Sequence, residues 1–258
     1  MLLETIEAEL SLYNYEILLG IAGLDVEKGR HLMKKFSSGM VDGVINMLPQ
    51  ISNTEAIQLC GSTPVITHLR CPESPIYIDF EDGARQALEY LWGCGHRRIG
   101  LIASATRRYP VVDPFLTAYR NFMAAHNAES LPELEMTGND TTAEGRAIAD
   151  LLIGRGVTAI LAANDQMAVG AYQAAYARGM KLPEELSVIG SDDSPLATSG
   201  SPALTTIQLP WREIARHTVA AFLNRVNGGA PRQTQVVIPR LIIRDSVAEV
   251  RSGTIAME

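Results

Sequence analysis

The feature that most constrains this chain is an alternation of short apolar runs with longer stretches whose apolar residues recur every three or four positions. Leu2, Leu3, Ile6, Leu10 and Tyr13 share one helical face, with Glu4, Glu7 and Glu9 mostly on the other. Residues 15–21 (YEILLGI) then form an apolar run that reads as a buried strand. Asp25 opens a second helix carrying Gly29, Leu32, Met33 and Phe36. Residues 41–48 read as a strand, 54–60 as a short helix and 64–69 as a further strand. Helices are expected over 81–94, 113–126, 142–154, 166–178 and 212–227, and strands over 98–103, 158–163, 187–190, 235–238 and 241–244. Gly95 stands where a helix end needs a residue free to take positive φ. Strand alternating with helix through short polar links is the rhythm of an α/β protein with doubly wound parallel sheets, each crossover right-handed.

Length and charge narrow the class. At about 150 residues per domain, 258 residues correspond to about 1.7 domains. A net charge of −7, from 22 Lys and Arg against 29 Asp and Glu, gives no basic footprint for nucleic acid across the chain as a whole. Cys60, Cys71 and Cys94 are too few and too scattered for a disulfide framework or a zinc cluster. The longest apolar runs, such as 157–163, fall far short of the ~20 residues of a membrane span. The start MLLETIEAEL lacks the basic and cleavage-site patterns of an export signal. The expectation is a soluble, cytoplasmic, acidic protein.

Ligands of doubly wound sheets bind beyond the carboxyl ends of the strands, so the informative residues are those just after each apolar run. They are 21–25, 48–52, 68–70, 104–108, 164–166 and 191–194. No phosphate-cradling GxxxxGK[ST] or GxGxxG, no HExxH, no paired CxxC and no GxSxG elbow is present, and the five His have no metal-ligand spacing. No enzyme activity, metal or cofactor is expected. Asn164-Asp165-Gln166 ends a strand and opens a helix. It reads either as an N-cap or as a polar cleft wall, and adjacent residues can serve both roles. The adjacent carboxylates Asp192 and Asp193 repel each other, so at least one needs a partner: a bound polyol, backbone N–H groups or an Arg. Gly95-His96-Arg97-Arg98 reads as a basic helix end and solvated turn, with a phosphate site as the alternative. Arg107 and Arg108 lie in an expected cleft loop. Trp92 and Trp211 read as packing residues, with sugar stacking as the alternative.

Six motifs then occur in a fixed order. They are Asp79-x-x-x-Gly83-Ala84, then Gly95 to Gly100 (GHRRIG), then Ala163-Asn164-Asp165-Gln166-Met167-Ala168-x-Gly170. Leu182-Pro183-x-x-Leu186-Ser187-Val188-Ile189-Gly190-x-Asp192-Asp193, Pro202 to Ile207 (PALTTI) and Ile243 to Ser246 (IRDS) follow. Together they resemble the effector-binding core of the LacI/GalR family of bacterial transcription regulators, over residues 2 to 248. The resemblance implies a periplasmic-binding-protein-like type I fold of two doubly wound lobes joined by three crossovers, near 76–79, 208–210 and 236–238. The N-terminal lobe would be 1–77 plus 209–236, and the C-terminal lobe 78–208 plus 237–258. A small-molecule effector, usually a sugar, would bind between the lobes of a homodimer and control operator binding through a helix-turn-helix headpiece outside these residues.

The same resemblance places a strand and a polar loop ahead of the helix at Leu2, inside the N-terminal lobe's sheet. Without that strand, both of its neighbours would have open ladder bonds. By position, Asn164 matches the family's cleft amide and Asp192 the carboxylate that holds sugar hydroxyls, with Asp193 a weaker match. Departures fall at Phe115, where an Arg is common, at Asp140, where an aromatic platform is common, and at Leu69, where an Asp is expected between His68 and Arg70. His68, Arg107 and Arg108 complete the candidate ligand-binding set. Extra acids and fewer cations favour a neutral sugar, a polyol or an amine-bearing effector over an acidic one. The competing class is the solute-binding protein of a sugar transporter, which shares the fold.

Overall fold

The computed structural model describes residues 2–23, 25–48, 50–67, 74–105, 113–128, 131–230 and 233–250. His68, Arg107 and Arg108 therefore lie outside the described residues. The helices begin where the sequence supplies acceptors for their first free N–H groups. Asp25 caps helix α2 (Val26–Phe36), Ser52 caps α3 (Asn53–Cys60) and Asp113 caps α5 (Pro114–Ala125). Thr141 caps α6 (Thr142–Gly154) and Asn164 caps α7 (Asp165–Ala177). Gly95, with φ +91°, follows α4 (Phe80–Gly93), as its position in the sequence requires.

Packing divides the chain into two units. Unit 1 takes its described residues from Met1–Asp79 and Pro210–Val237. Strand β1 (Val44–Asn46) pairs in parallel with β2 (Val65–Thr67), and β3 (Ile76–Ile78) pairs in parallel with β9 (Gln235–Val237). Side chains alternate across β1 and β2. Ile45 and Ile66 join Ile6 and Leu10 of α1 (Leu2–Ser11) and Val219 and Phe222 of α9 (Trp211–Val226). Val44 and Val65 pack on the other face against Met33 of α2 and Ala56 of α3.

Unit 2 takes its described residues from within 80–209 and 238–258. Its sheet has the order β10-β8-β7-β6-β4-β5. The strands are β4 (Ile99–Ser104), β5 (Glu135–Gly138), β6 (Ala159–Ala162), β7 (Ser187–Ser191), β8 (Thr205–Gln208) and β10 (Arg240–Ile242). Every pairing is parallel except β10 on β8. Helix α4 packs on α5, and α6 on α7, with the short α8 (Leu196–Ser199) also against α7. Strands β4, β6 and β7 are buried along their whole length, as strands covered on both faces must be.

Two expectations are corrected. Residues 15–21 form no strand, and Leu18, Leu19 and Ile21 are 52%, 54% and 69% exposed. An apolar run becomes a strand only when a neighbour completes its ladder, and among the described residues no strand pairs with it. The strand expected at 241–244 runs as Arg240–Ile242 and is antiparallel, an edge strand on an otherwise parallel sheet. Strands at 76–78, 135–138 and 205–208 escape the apolar-run reading; the first lies where a crossover is expected, and the last runs up to the start of another. Among the described residues, no helix is long and apolar enough to cross a membrane.

Candidate functional site

Unit 2 gathers polar side chains at the carboxyl ends of its parallel strands. Its strand order reverses around β4: the chain goes from β4 to β5 on one side and then returns over β4 to β6 on the other. At such a switch point the two connecting loops diverge and leave a crevice. Three polar residues stand at the strand ends there. Ser104 ends β4, Asp140 follows β5, and Asn164 follows β6.

They form one hydrogen-bonded set. Ser104 Oγ donates to Asp140 Oδ2 at 2.8 Å, and Asn164 Nδ2 donates to Asp140 Oδ1 at 2.8 Å. Asn164 Oδ1 accepts from the Met167 N–H at 2.8 Å, so the residue both caps the helix and belongs to this polar set. Below them, Asp113 accepts from the Ser104 N–H at 2.9 Å and the Phe115 N–H at 2.7 Å, fixing the end of β4 to the start of α5. Phe115 itself is fully buried. Replacing Asn164 with Ala removes the cap and one partner of Asp140. A stability loss of about 1 kcal/mol is expected, read as a melting temperature lower by about 2–4 °C.

The loop after β7 carries the acidic pair. Asp193 accepts from Arg244 Nη2 at 2.6 Å and from Gln208 Nε2 at 2.7 Å. Arg244 is thus a partner for one member of the acid pair, and Asp193 is occupied inside the fold. Asp192 is half-buried at the carboxyl end of β7, with its N–H bonded to the Ile207 carbonyl at 2.8 Å. Asp140, Asp192 and Asp193 have φ of +63°, +110° and +49°. Non-glycine residues rarely adopt such backbone, and its concentration at strand ends is typical of functional sites.

Asp165 holds the loops together. It is 1% exposed. It accepts from Thr206 Oγ1 at 2.6 Å, from the Ser194 N–H at 2.7 Å and from Ser194 Oγ at 2.9 Å. Burial pushes its carboxyl up to about 6. The Thr206 and Ser194 donors oppose that rise, and the nearby Asp192 charge adds to it.

The basic turn at 95–98 is structural. Buried His96 contacts Thr158 Oγ1 at 2.9 Å and the Ala248 carbonyl at 3.0 Å. Arg97 donates to the Trp92 carbonyl at 2.7 Å and lies 4.0 Å over the Trp92 ring, while Arg98 donates to the Arg155 carbonyl at 2.7 Å. Trp92 packs edge-on against Phe122 at 5.8 Å, and Trp211 is the first residue of α9. Of the sequence candidates, Asp140 and Asn164 are directly bonded, and Asp192 and Asp193 share the loop after β7. Sequence reasoning misses Thr206, Gln208 and Arg244. Thr206 and Arg244 stand inside two of the ordered motifs, but their roles depend on partners far along the chain. Among the described residues, no group of three or more His, Cys, Asp or Glu side chains is placed to hold a metal ion.

The order of strands and the polar set at their ends define a ligand-binding domain of the periplasmic-binding-protein type. A family profile described as "Periplasmic binding protein-like domain" matches residues 88–247, more than half of the chain, so the chain belongs to that family. Its relatives are LacI-family helix-turn-helix regulators, and the match lies in their effector-binding portion. One is the "HTH-type transcriptional regulator reg1" of Streptomyces lividans, 35% identical over 179 residues, covering 67% of this chain and 52% of that protein. The chain thus spans about half the length of such curated relatives. Among solved structures, a "transcriptional regulator CelR-cellobiose complex" matches with a TM-score of 0.83 and 26% identity, covering 95% of this chain and 77% of that one. A dimeric Lac repressor matches in fold with a TM-score of 0.86 at 23% identity, covering 97% of this chain and 94% of that one.

Proposed function

We propose that this chain is the effector-sensing portion of a LacI-type transcriptional regulator, and that its effector is a neutral polyhydroxy compound such as a sugar. The observation that carries this reading is the set Ser104, Asp140 and Asn164 at the switch point of the unit 2 sheet, with Asp192 at the neighbouring strand end. Ser104 and Asn164 each donate to one carboxylate oxygen of Asp140. The second Asn164 amide hydrogen is available as a donor. Ligand hydroxyls can both donate and accept, so they suit such a mixed set. An anionic effector would meet Asp140 and Asp192 and be repelled.

The resemblance of CelR, solved with cellobiose, supports the sugar class. The names of the relatives favour a cytoplasmic regulator over a transporter's solute-binding protein and over an enzyme. The fold's likeness to a dimeric Lac repressor supports a homodimer. Operator contacts belong to a headpiece outside residues 1–258. Regulation requires only that the effector bind one conformational state better than another, and a coupling of about 1–3 kcal/mol is typical.

Thermal-shift measurements against mono- and disaccharides, polyols and sugar phosphates test the reading. At a hundredfold excess over Kd, a true effector adds about 2.7 kcal/mol of stability. Neutral hydroxylated compounds are expected to shift the chain, and Asn164→Ala and Asp192→Ala to lose the shift. A shift that survives both substitutions places the site elsewhere.

A further inference from the structure

Two adjacent residues with positive φ, Asp192 and Asp193, carry the chain away from β7. Neither is glycine, so this backbone persists only because the surrounding structure holds it. The holding bonds can be named. The Asp192 N–H extends the ladder between β7 and β8 by one rung, to the Ile207 carbonyl at 2.8 Å. Beyond that rung the bonds belong to the residues after Asp192. Both carboxylate oxygens of Asp193 accept: Oδ2 from Gln208 Nε2 at 2.7 Å, and Oδ1 from Arg244 Nη2 at 2.6 Å. The other arm of the same guanidinium, Nη1, donates to the Leu204 carbonyl at 2.8 Å, and the Arg244 N–H donates to Thr205 Oγ1 at 3.0 Å. Ser194 is tied in turn to Asp165 at the start of α7, through its N–H and its hydroxyl.

The turn is therefore fixed to β8 on one side and to α7 on the other, with Asp192 between the last rung and the first of these ties. The Arg244 and Asp193 side chains are 20% and 14% exposed. A charge-assisted bond so shielded from water is stronger than a surface ion pair. Arginine suits the position because its planar fork reaches Leu204 and Asp193 together, whereas lysine would bring the charge without the second arm.

We propose that Arg244 and Gln208 are positioning residues for the effector site. By gripping Asp193 they hold Asp192 in its left-handed backbone, and that backbone sets where the Asp192 carboxylate is presented. The two adjacent acids then have separate tasks: Asp193 anchors the turn and Asp192 meets the effector. The purpose of the grip rests on the reading of Asp192 as an effector contact; the grip itself does not.

Alanine and glycine at position 192 read the backbone directly, with the carboxylate gone from both. At ordinary positions the alanine variant is the more stable, because glycine leaves a freer unfolded chain, but where φ is held positive the order reverses. Asp192→Gly is therefore expected to melt about 2–4 °C above Asp192→Ala, the gap that one left-handed residue produces in a chain of about this size. In the Arg244→Met background the turn is released, and alanine is expected to melt above glycine. In the Gln208→Leu background the gap should shrink. Arg120→Met, which breaks the pair of Arg120 with Glu135 elsewhere in unit 2, should leave the gap unchanged whatever it does to stability. A gap of equal size with and without Arg244 overturns the proposal, as does alanine above glycine in the parent. If Arg244→Met does not fold, Arg244→Lys and Gln208→Leu decide, and an unchanged gap in both overturns it.

Cellobiose and the other sugars of the thermal-shift panel supply a second reading. A sugar that stabilises the parent is expected to bind Gln208→Leu at least about tenfold more weakly, the loss of roughly one hydrogen bond to a charged group. Equal affinity overturns the positioning role. If no sugar stabilises the parent, the proposed function fails, while the gap between alanine and glycine still decides the grip.

Discussion

Replacing Gly170 with Ala is expected to destabilise the protein by about 1–2 kcal/mol, although the residue lies inside helix α7. Two effects compete. Alanine favours helix over glycine by about 1 kcal/mol. Against this, a Cβ at position 170 would lie 2.4 Å from the Thr142 carbonyl oxygen, 2.5 Å from the Arg146 nitrogen and 2.8 Å from the Gly145 carbonyl carbon. All three are backbone atoms of α6, so no side chain can rotate away, and the helices must separate. Overpacking of this kind costs about 1–3 kcal/mol and sometimes more, and it unpacks the neighbours as well. The clash wins. Gly145 is the reciprocal contact, its Cβ falling 2.5 Å from both the Cα and the carbonyl oxygen of Met167. Gly154, in the same helix, meets nothing nearer than a side-chain nitrogen of Arg178 at 3.7 Å, so Gly154→Ala should be neutral or mildly stabilising. Urea unfolding of the three variants checks the ranking. A Gly170→Ala protein as stable as the parent would mean that α6 and α7 do not meet along their backbones.

Asp165 is expected to make stability depend on pH between about 4 and 7. Its carboxyl is pushed up to about 6 in the folded protein, from 3.8 when free, chiefly by burial. The sign follows from that direction. The folded state holds the proton more tightly than the unfolded chain, so this contribution to stability is fully present below about pH 4. It is lost as pH rises through about 6. A rise of that size corresponds to about 3 kcal/mol. Other carboxylates titrate in the same range, so the measurable quantity is the stability difference between the parent and Asp165→Asn, which cannot ionise. That difference should move by about 3 kcal/mol against the parent from pH 4 to pH 7, and a flat difference would refute the assignment. Asp165→Ala is a different lesion. It leaves the Ser194 N–H and the Thr206 and Ser194 hydroxyls without their acceptor, a loss of about 2–3 kcal/mol at any pH.

The parts of the fold legible in the sequence are those whose hydrogen bonds are local. Helix bonds join residues four apart, and caps join residues two or three apart. Helix α6 is therefore readable at its true bounds, and α7 within a residue. Among candidate site residues, the capping role of Asn164 is readable for the same reason: one amide at a strand end and helix start caps α7 and also bonds Asp140. Ladders and ion pairs join distant residues, and single runs of sequence say little about them. Residues 15–21 have every local mark of a strand and are not one, because a strand is a property of a pair. Residues 135–138 and 205–208 have weaker marks and are strands, because β4 and β7 complete them.

Charge shows the same division. The sequence alone determined an α/β chain, the order of its helices, the six ordered motifs and the strand ends where polar residues gather. It also determined that the adjacent pair Asp192-Asp193 must find a partner. Only the tertiary structure decided that Arg244, 51 residues away, takes Asp193, and that Thr206, 41 residues away, takes Asp165. The apolar patterning fixes which faces turn inward, but which distant donor reaches which carboxylate depends on strands brought side by side from across the chain.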